Sequence, residues 1–481
     1  MLGLMLWFAT EDVAGRFGVE AISVAGLSTL RADLGGLFVA LAALCLAGAW
    51  KRQRAWLVAA IVLLGAVVGG RLVGLVAVGQ SAGALRALAI ELGAILILAI
   101  AVRTLPAGKP APARRPRRVA LLAFGLALLL AGGAAVFDDR LQSLMTRQVA
   151  AQRINHDGSG LLADDALRVA ICGSSSPLPS ADRAKACVAV MAGGRFYLVD
   201  VGPESVENLM EWGLPLDRIG GVLLTHFHSD HIGDLGELNL QTWARGRPAP
   251  LPVYGGPGVE SVVEGFNRAY RLDQGYRTAH HSARLMPARS WPLVSRRVEL
   301  PGAATPALSR TATVLQDGDL KITAIEMDHA PVTPAYAYRF DYKGRSVVVT
   351  GDARLHPPLA AAAAGTDILV SEAIARPMVD AMRDAAKASG RDRLAAIMDD
   401  IQDYHVSPQE TAALANQAKA RLLVYYHLIP APDGFLARRA FADGVDQIRQ
   451  GDWTIADDHS LYTLPIGSKT IRIGRVERSD D

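Results

Sequence analysis

The sequence predicts a two-part α/β protein, in which an all-α transmembrane domain precedes an αββα sandwich. Three observations carry that prediction. At 481 residues the chain is long enough for two or three domains. Long apolar runs crowd its first part, under a mean hydropathy of +0.21. Its second part has short β-rich runs that end in histidines and aspartates. Composition excludes several classes. A hydrophobic fraction of 51% is too high for a disordered chain, and a formal net charge of +3 excludes one dominated by a nucleic-acid-binding surface. Three cysteines are too few for a disulfide-dense scaffold or a four-cysteine zinc site.

The apolar runs are Leu34–Trp50, Ala55–Val78, Leu85–Val102 and Val119–Phe137. Each reaches or approaches the length that spans a hydrocarbon core about 30 Å thick at about 1.5 Å per residue. Met1–Ala9 is too short to span and reads as the end of a further membrane helix. Lys51, Arg52 and Arg54 follow the first run, and Arg103, Lys109, Arg114, Arg115, Arg117 and Arg118 precede the last. Short basic loops stay on the cytoplasmic side. The expected layout is a multi-helix membrane domain over 1–104, a basic proline-rich cytoplasmic linker over 105–118, a last transmembrane helix over 119–137 and an extracytoplasmic linker over 138–167. The protein would then be multi-pass in the inner or cytoplasmic membrane, with everything from Asp138 onward periplasmic or extracytoplasmic. Arg71 and Glu91 interrupt apolar runs at matching depth, which suggests an interhelical ion pair or a small-molecule or ion site.

The sandwich is expected over 168–475. Ile219–Thr225 reads as a buried strand, and His226-Phe-His228-Ser-Asp230-His231 follows it directly. Alternate residues leaving a strand point the same way, so His226 and His228 can grip one ion while Asp230 and His231 reach a second. Imidazole with carboxylate suits zinc, and less exclusively manganese or iron. Three more strand-like runs, Ile322–Met327, Ser346–Thr350 and Leu422–Tyr426, end at His329, Asp352 and His427. One strand-end histidine is usually structural; together these residues complete two coordination shells.

Residues 168–475 resemble the metallo-β-lactamase-fold hydrolases, in particular the ribonuclease Z branch and the related bacterial arylsulfatases. The resemblance rests on Cys172-Gly-Ser-Ser-Ser-Pro-Leu-Pro179, Leu198-Val-Asp-Val-Gly202, Thr225–His231, Val253-Tyr-Gly-Gly-Pro-Gly258, His329, Gly351-Asp352, Ser371-Glu372-Ala373, His405-Val-Ser-Pro408 and His427. It implies one zinc on His226, His228 and His329, a second on Asp230, His231 and His427, and Asp352 bridging the two. It also implies a metal-bridging hydroxide as nucleophile, oriented by Asp230. His405 would be the general acid, with Glu372 to orient it and Glu410 as a second candidate for that role.

The expected activity is that of a membrane-anchored binuclear zinc hydrolase of phosphodiester-type bonds, with cyclic-nucleotide phosphodiesterases of this fold as a precedent. An arylsulfatase is the close alternative. A membrane sensor or transport-like module with a hydrolase output domain is an alternative of another class. No Gly/Lys-rich tRNA arm is visible. The stretch Asp273–His281 reads instead as a compact loop whose Arg277, His280 and His281 would close over a small anionic ester. Cys172 and Cys187, on neighbouring strands, would be either disulfide-bonded or reduced and buried. The oligomeric state is left open, a dimer being compatible with the sequence.

Overall fold

The computed structural model describes residues 36–51, 53–77, 82–105, 151, 155–302 and 308–478. It divides into two compact units, Met1–Phe137 and Asp138–Asp481.

Within the first unit, three of the apolar runs form helices α1 (Gly36–Lys51), α2 (Arg54–Ala77) and α3 (Ala82–Thr104). Gly48 allows α1 to approach α2, since a Cβ there would lie 2.5 Å from a methyl carbon of Leu57. Arg54 Nε donates to the Leu105 carbonyl at 2.7 Å. Leu57, Ala60 and Leu64 are buried, whereas Leu46, Val62, Ile90 and Leu96 are exposed. Among the described residues no helix is long and apolar enough to cross a membrane. The expected all-α transmembrane domain, and the localisation built on it, are therefore not borne out. Met1–Ala9, the 119–137 run, most of the basic linker and the Arg71 side chain lie outside the described residues.

The second unit is a sandwich of two sheets. One has eight strands in the order β15 (Arg472–Arg475), β14 (Ser460–Pro465), β1 (Ala166–Gly173), β2 (Cys187–Ala192), β3 (Arg195–Val199), β4 (Ile219–Leu223), β5 (Leu251–Gly255) and β6 (Leu293–Arg297), and the other has seven in the order β13 (Asp452–Ile455), β12 (Leu422–Ile429), β11 (Ile368–Ile374), β10 (Arg345–Val349), β9 (Tyr336–Tyr342), β8 (Leu320–Glu326) and β7 (Thr311–Asp317). The strands that matter for the site are β1, β2, β3, β4, β8, β10, β11 and β12. Most are apolar on both faces because both faces are covered. Val188, Val190, Tyr338, Val347, Val370 and Val424 fill the layer between the sheets. Leu209, Trp212, Leu235 and Val263 pack on the outer face of the first sheet, from α4 (Ser205–Glu211), α6 (Leu235–Ala244), α7 (Val259–Ala269) and their flanks. Ala412, Leu414, Ala415 and Phe441 cover the second sheet. Helix layers thus lie outside both sheets, as the αββα expectation requires.

The strand readings hold, with shifts of a residue or two, except that β12 runs through His427 instead of stopping before it. The reason is a bulge. Ser371 pairs with Tyr425 and Ala373 with Leu428, so Glu372 faces both Tyr426 and His427. His427 takes φ 44° there, which turns its side chain out of the strand's alternation. Cys172 and Cys187 form a disulfide, with Cα atoms 5.0 Å apart.

Candidate metal centre

Segments from both sheets assemble the site: the chain leaving β4, β8 and β10, and the bulge within β12. After β4 the chain turns through Thr225–His228 into the short helix α5 (Ser229–Ile232), which carries Asp230 and His231. After β10, Gly351 lets the backbone pass Thr225, where a Cβ would lie 2.5 Å from the threonine's own Cβ; Asp352 follows. His329 leaves β8, and His427 comes from the bulge in β12.

These elements bring all seven expected ligands together. His226, His228, His329 and Asp352 form one group of donor atoms within 4.8 Å of one another, and Asp230, His231, Asp352 and His427 form another. Asp352 belongs to both. Its carboxylate lies 3.8 Å from His226 Nε2, 3.3 Å from His231 Nε2 and 3.4 Å from His427 Nδ1. Asp230 Oδ2 lies 3.1 Å from His427 Nε2 and 3.5 Å from His231 Nε2.

The donor set fits metal. His231 Nε2, His329 Nε2, His427 Nδ1 and Asp352 Oδ1 are buried and have no hydrogen-bond partner in the protein. Four such atoms in one place would be costly unless something else met them. The other ring nitrogen of two of these histidines is held by protein. His231 Nδ1 pairs with Asp200 Oδ2 at 2.8 Å, and His329 Nδ1 donates to the Tyr404 carbonyl at 2.9 Å. Each arrangement aims the remaining nitrogen inward, as a ligand requires. Burial drives His226 well below the ordinary imidazole range and His329 down to about 4, so both are neutral donors. Burial alone would raise Asp352, but the imidazoles of His427, His231 and His226 hold it well below the usual carboxylate value.

His405 and Glu372 adjoin this centre. His405 Nδ1 meets Glu372 Oε1 at 2.9 Å, and that oxygen also accepts from the Ala353 amide at 2.8 Å. Burial raises Glu372 and opposes a charge on His405, yet the Glu372 carboxylate lifts His405 above its ordinary value.

A match to the family described as "Beta-lactamase superfamily domain" spans residues 195–428. Ribonuclease Z of Mycobacterium bovis (strain BCG / Pasteur 1173P2) is 36% identical over 268 residues, covering 55% of this chain and 87% of the relative. Ribonuclease Z of Mycolicibacterium paratuberculosis is 35% identical over the same shares of each. The chain belongs to the ribonuclease Z family of the β-lactamase superfamily. Among solved structures, human tRNase Z, short form, aligns over 62% of this chain and 100% of its own at 21% identity and a TM-score of 0.44. The metallo-β-lactamase fold protein YhfI of Bacillus subtilis aligns over 62% and 99% at 18% identity, also with a TM-score of 0.44.

As a ribonuclease Z family member the protein is a metal-dependent hydrolase. These ribonuclease relatives give the arylsulfatase alternative no support. Two further expectations change. Asp273–His281 is not a compact loop but part of helix α8 (Arg271–His281), which has no buried residue. Arg277 Nε pairs with Asp273 at 2.8 Å, and His280 and His281 pack on each other; neither histidine belongs to the donor groups around Asp352. The i,i+4 spacing of Asp273 and Arg277 is the helical signal that the loop reading passed over. Glu410 does not orient the His405 ring. It bonds the Ser407 amide at 2.8 Å in a capping box at the start of α11 (Pro408–Gln417; α9 is Arg376–Ala388 and α10 Asp392–Asp400), and it pairs with Arg376. Sequence reading also missed Asp200, which is fully buried and bonds the Thr225 amide and hydroxyl as well as His231. Its signal was an acid closing the apolar run Leu198-Val-Asp-Val.

Proposed function

We propose that this protein hydrolyses phosphodiester bonds at a binuclear metal centre, with RNA as the first substrate class to test. The observation that carries the reading is the convergence of unpartnered buried donor atoms on Asp352 from two groups of histidines. The relatives' own name, ribonuclease Z, supports RNA over the small anionic ester expected from the sequence.

His226, His228 and His329 would hold one zinc, Asp230, His231 and His427 the other, and Asp352 would lie between them. Bound zinc lowers the pKa of water toward about 7 and offsets negative charge on the ester oxygens. The chain's own groups do the rest. Asp230 accepts a hydrogen bond from the attacking water and directs it. His405, kept protonated by Glu372, gives its proton to the leaving oxygen. Asp200 and the Tyr404 carbonyl hold His231 and His329 in the one ring orientation that serves.

The test is the full chain, purified with its metal and assayed on an RNA, a small phosphodiester and an aryl sulfate, with Asp352→Ala alongside. Phosphodiester turnover that disappears in Asp352→Ala together with the bound metal is the expected result. Sulfate turnover alone would overturn the reading.

We also propose that the first unit associates with a membrane. The exposed apolar side chains of α1–α3 and the apolar composition of the 119–137 run support this. Full-length protein that stays in the membrane fraction through a carbonate wash is expected; release into the supernatant would refute it.

A further inference from the structure

Tyr404 sits beside the centre with one end employed and the other free. Its carbonyl fixes His329, and its ring lies 4.9 Å from the His329 ring and 4.6 Å from the His405 ring, between centroids. The side chain is half-buried. Burial first, and then the carboxylates of Asp352, Asp230, Asp400 and Glu372, push its hydroxyl above the ordinary phenol value. Among the described residues no group bonds to that hydroxyl. A phenol is a neutral donor at physiological pH, so it can approach an anion without needing a counter-charge.

A phosphodiester presents non-bridging oxygens, and its leaving oxygen must lie next to His405. The Tyr404, His405 and His329 rings lie within 5.5 Å of one another, so the Tyr404 hydroxyl is a protein donor close to where such a phosphoryl group would sit. We propose that Tyr404 is a substrate-contact residue whose hydroxyl donates a hydrogen bond to a non-bridging oxygen of the phosphoryl group. This rests on the phosphodiesterase reading for its substrate class, but the contact can be measured without turnover.

Tyr404→Phe keeps both ring contacts and removes only the hydroxyl. Metal content and the binding of inorganic phosphate, followed by calorimetry on the full-length metal-loaded protein, separate its two roles. The expected result is unchanged metal content with phosphate bound about tenfold or more weakly, because hydrogen bonds to charged groups are worth that much. On a phosphodiester, kcat/KM should fall by a similar factor. Phosphate binding by Y404F indistinguishable from the parent would overturn the inference, and so would a parent protein that binds no phosphate. Loss of metal and phosphate in Tyr404→Leu with neither lost in Y404F would mean that the ring only packs, and would overturn it equally. A parent that binds phosphate in a Tyr404-dependent way yet cleaves no phosphodiester would sink the activity reading and leave the contact standing.

Discussion

Asp200 shows how much of the centre depends on residues one step removed from it. It is fully buried, takes φ 60° and accepts hydrogen bonds from the Thr225 amide, the Thr225 hydroxyl and His231 Nδ1. With three donors on one carboxylate, His231 can turn only one nitrogen toward Asp352. Asp200→Asn is expected to leave the fold intact and to weaken metal binding by about 10- to 100-fold, the usual cost of losing such support. A competition titration against a chelator reads this directly, and an unchanged affinity would contradict it. The residues that would touch metal were legible because of their type and spacing: three histidines and an aspartate within Thr225–His231, then strand ends at His329, Asp352 and His427. Asp200 and Tyr404 were not, because what they do depends on contacts between segments separated along the chain. His329 Nδ1 finds the Tyr404 carbonyl across 75 residues, and no local pattern marks that partnership.

At the scale of elements, helix ends decide several details. Asp234, at the start of α6, turns its carboxylate to the amides that open α4, with the Val206 amide at 3.3 Å. Burial outweighs those bonds and lifts its pKa from 3.8 to about 6. A carboxyl raised on folding favours the native state only while protonated. Its contribution is therefore complete below about 3.8 and lost as the pH rises through about 6. Asp234→Asn should flatten the stability profile over that window and raise stability at neutral pH, since an amide carbonyl can still accept from Val206. Denaturation midpoints across the pH range test it, and a variant less stable at neutral pH would show that the charge on the α4 amides matters more than its burial. Element reading from sequence did best where apolar runs were continuous, as in β4, β10 and β12. It failed at α8, where polar residues hide a helix, and at the bulge that draws His427 into β12, because pairing register belongs to two strands at once.

The sandwich as a whole has to bury charge, and two cross-links offset that burden. The first is covalent. The Cys172–Cys187 disulfide ties β1 to β2 at the root of the Ser174–Ser176 loop, whose Ser174 carbonyl accepts from the Leu428 amide next to His427. It closes a separation of 15 residues, which corresponds to about 3 kcal/mol of stability in the chain-entropy picture. Cys172→Ala with Cys187→Ala should lower the unfolding free energy by that order in a denaturant titration; a midpoint equal to the parent's would place the bond outside the cooperative core. The second would be the bound metal, held between the two donor groups. Asp230, Asp352, Asp200 and Glu372 bring four carboxylates into the interior around the imidazoles. Without metal, only imidazolium can balance them, and His231 is indeed held well above its ordinary pKa against the effect of burial, by Asp352, Asp200 and Asp230. A ligand present at 100 times its dissociation constant adds about 2.7 kcal/mol to the folded state. Chelation should therefore lower the Tm by an amount of order 5 °C. Stoichiometric zinc should restore it in the parent but not in Asp352→Ala, whose site lacks the carboxylate common to both groups. A parent whose Tm stays fixed while metal analysis shows the ion gone would mean that the imidazoles alone neutralise the centre, and that the sandwich folds around them without help.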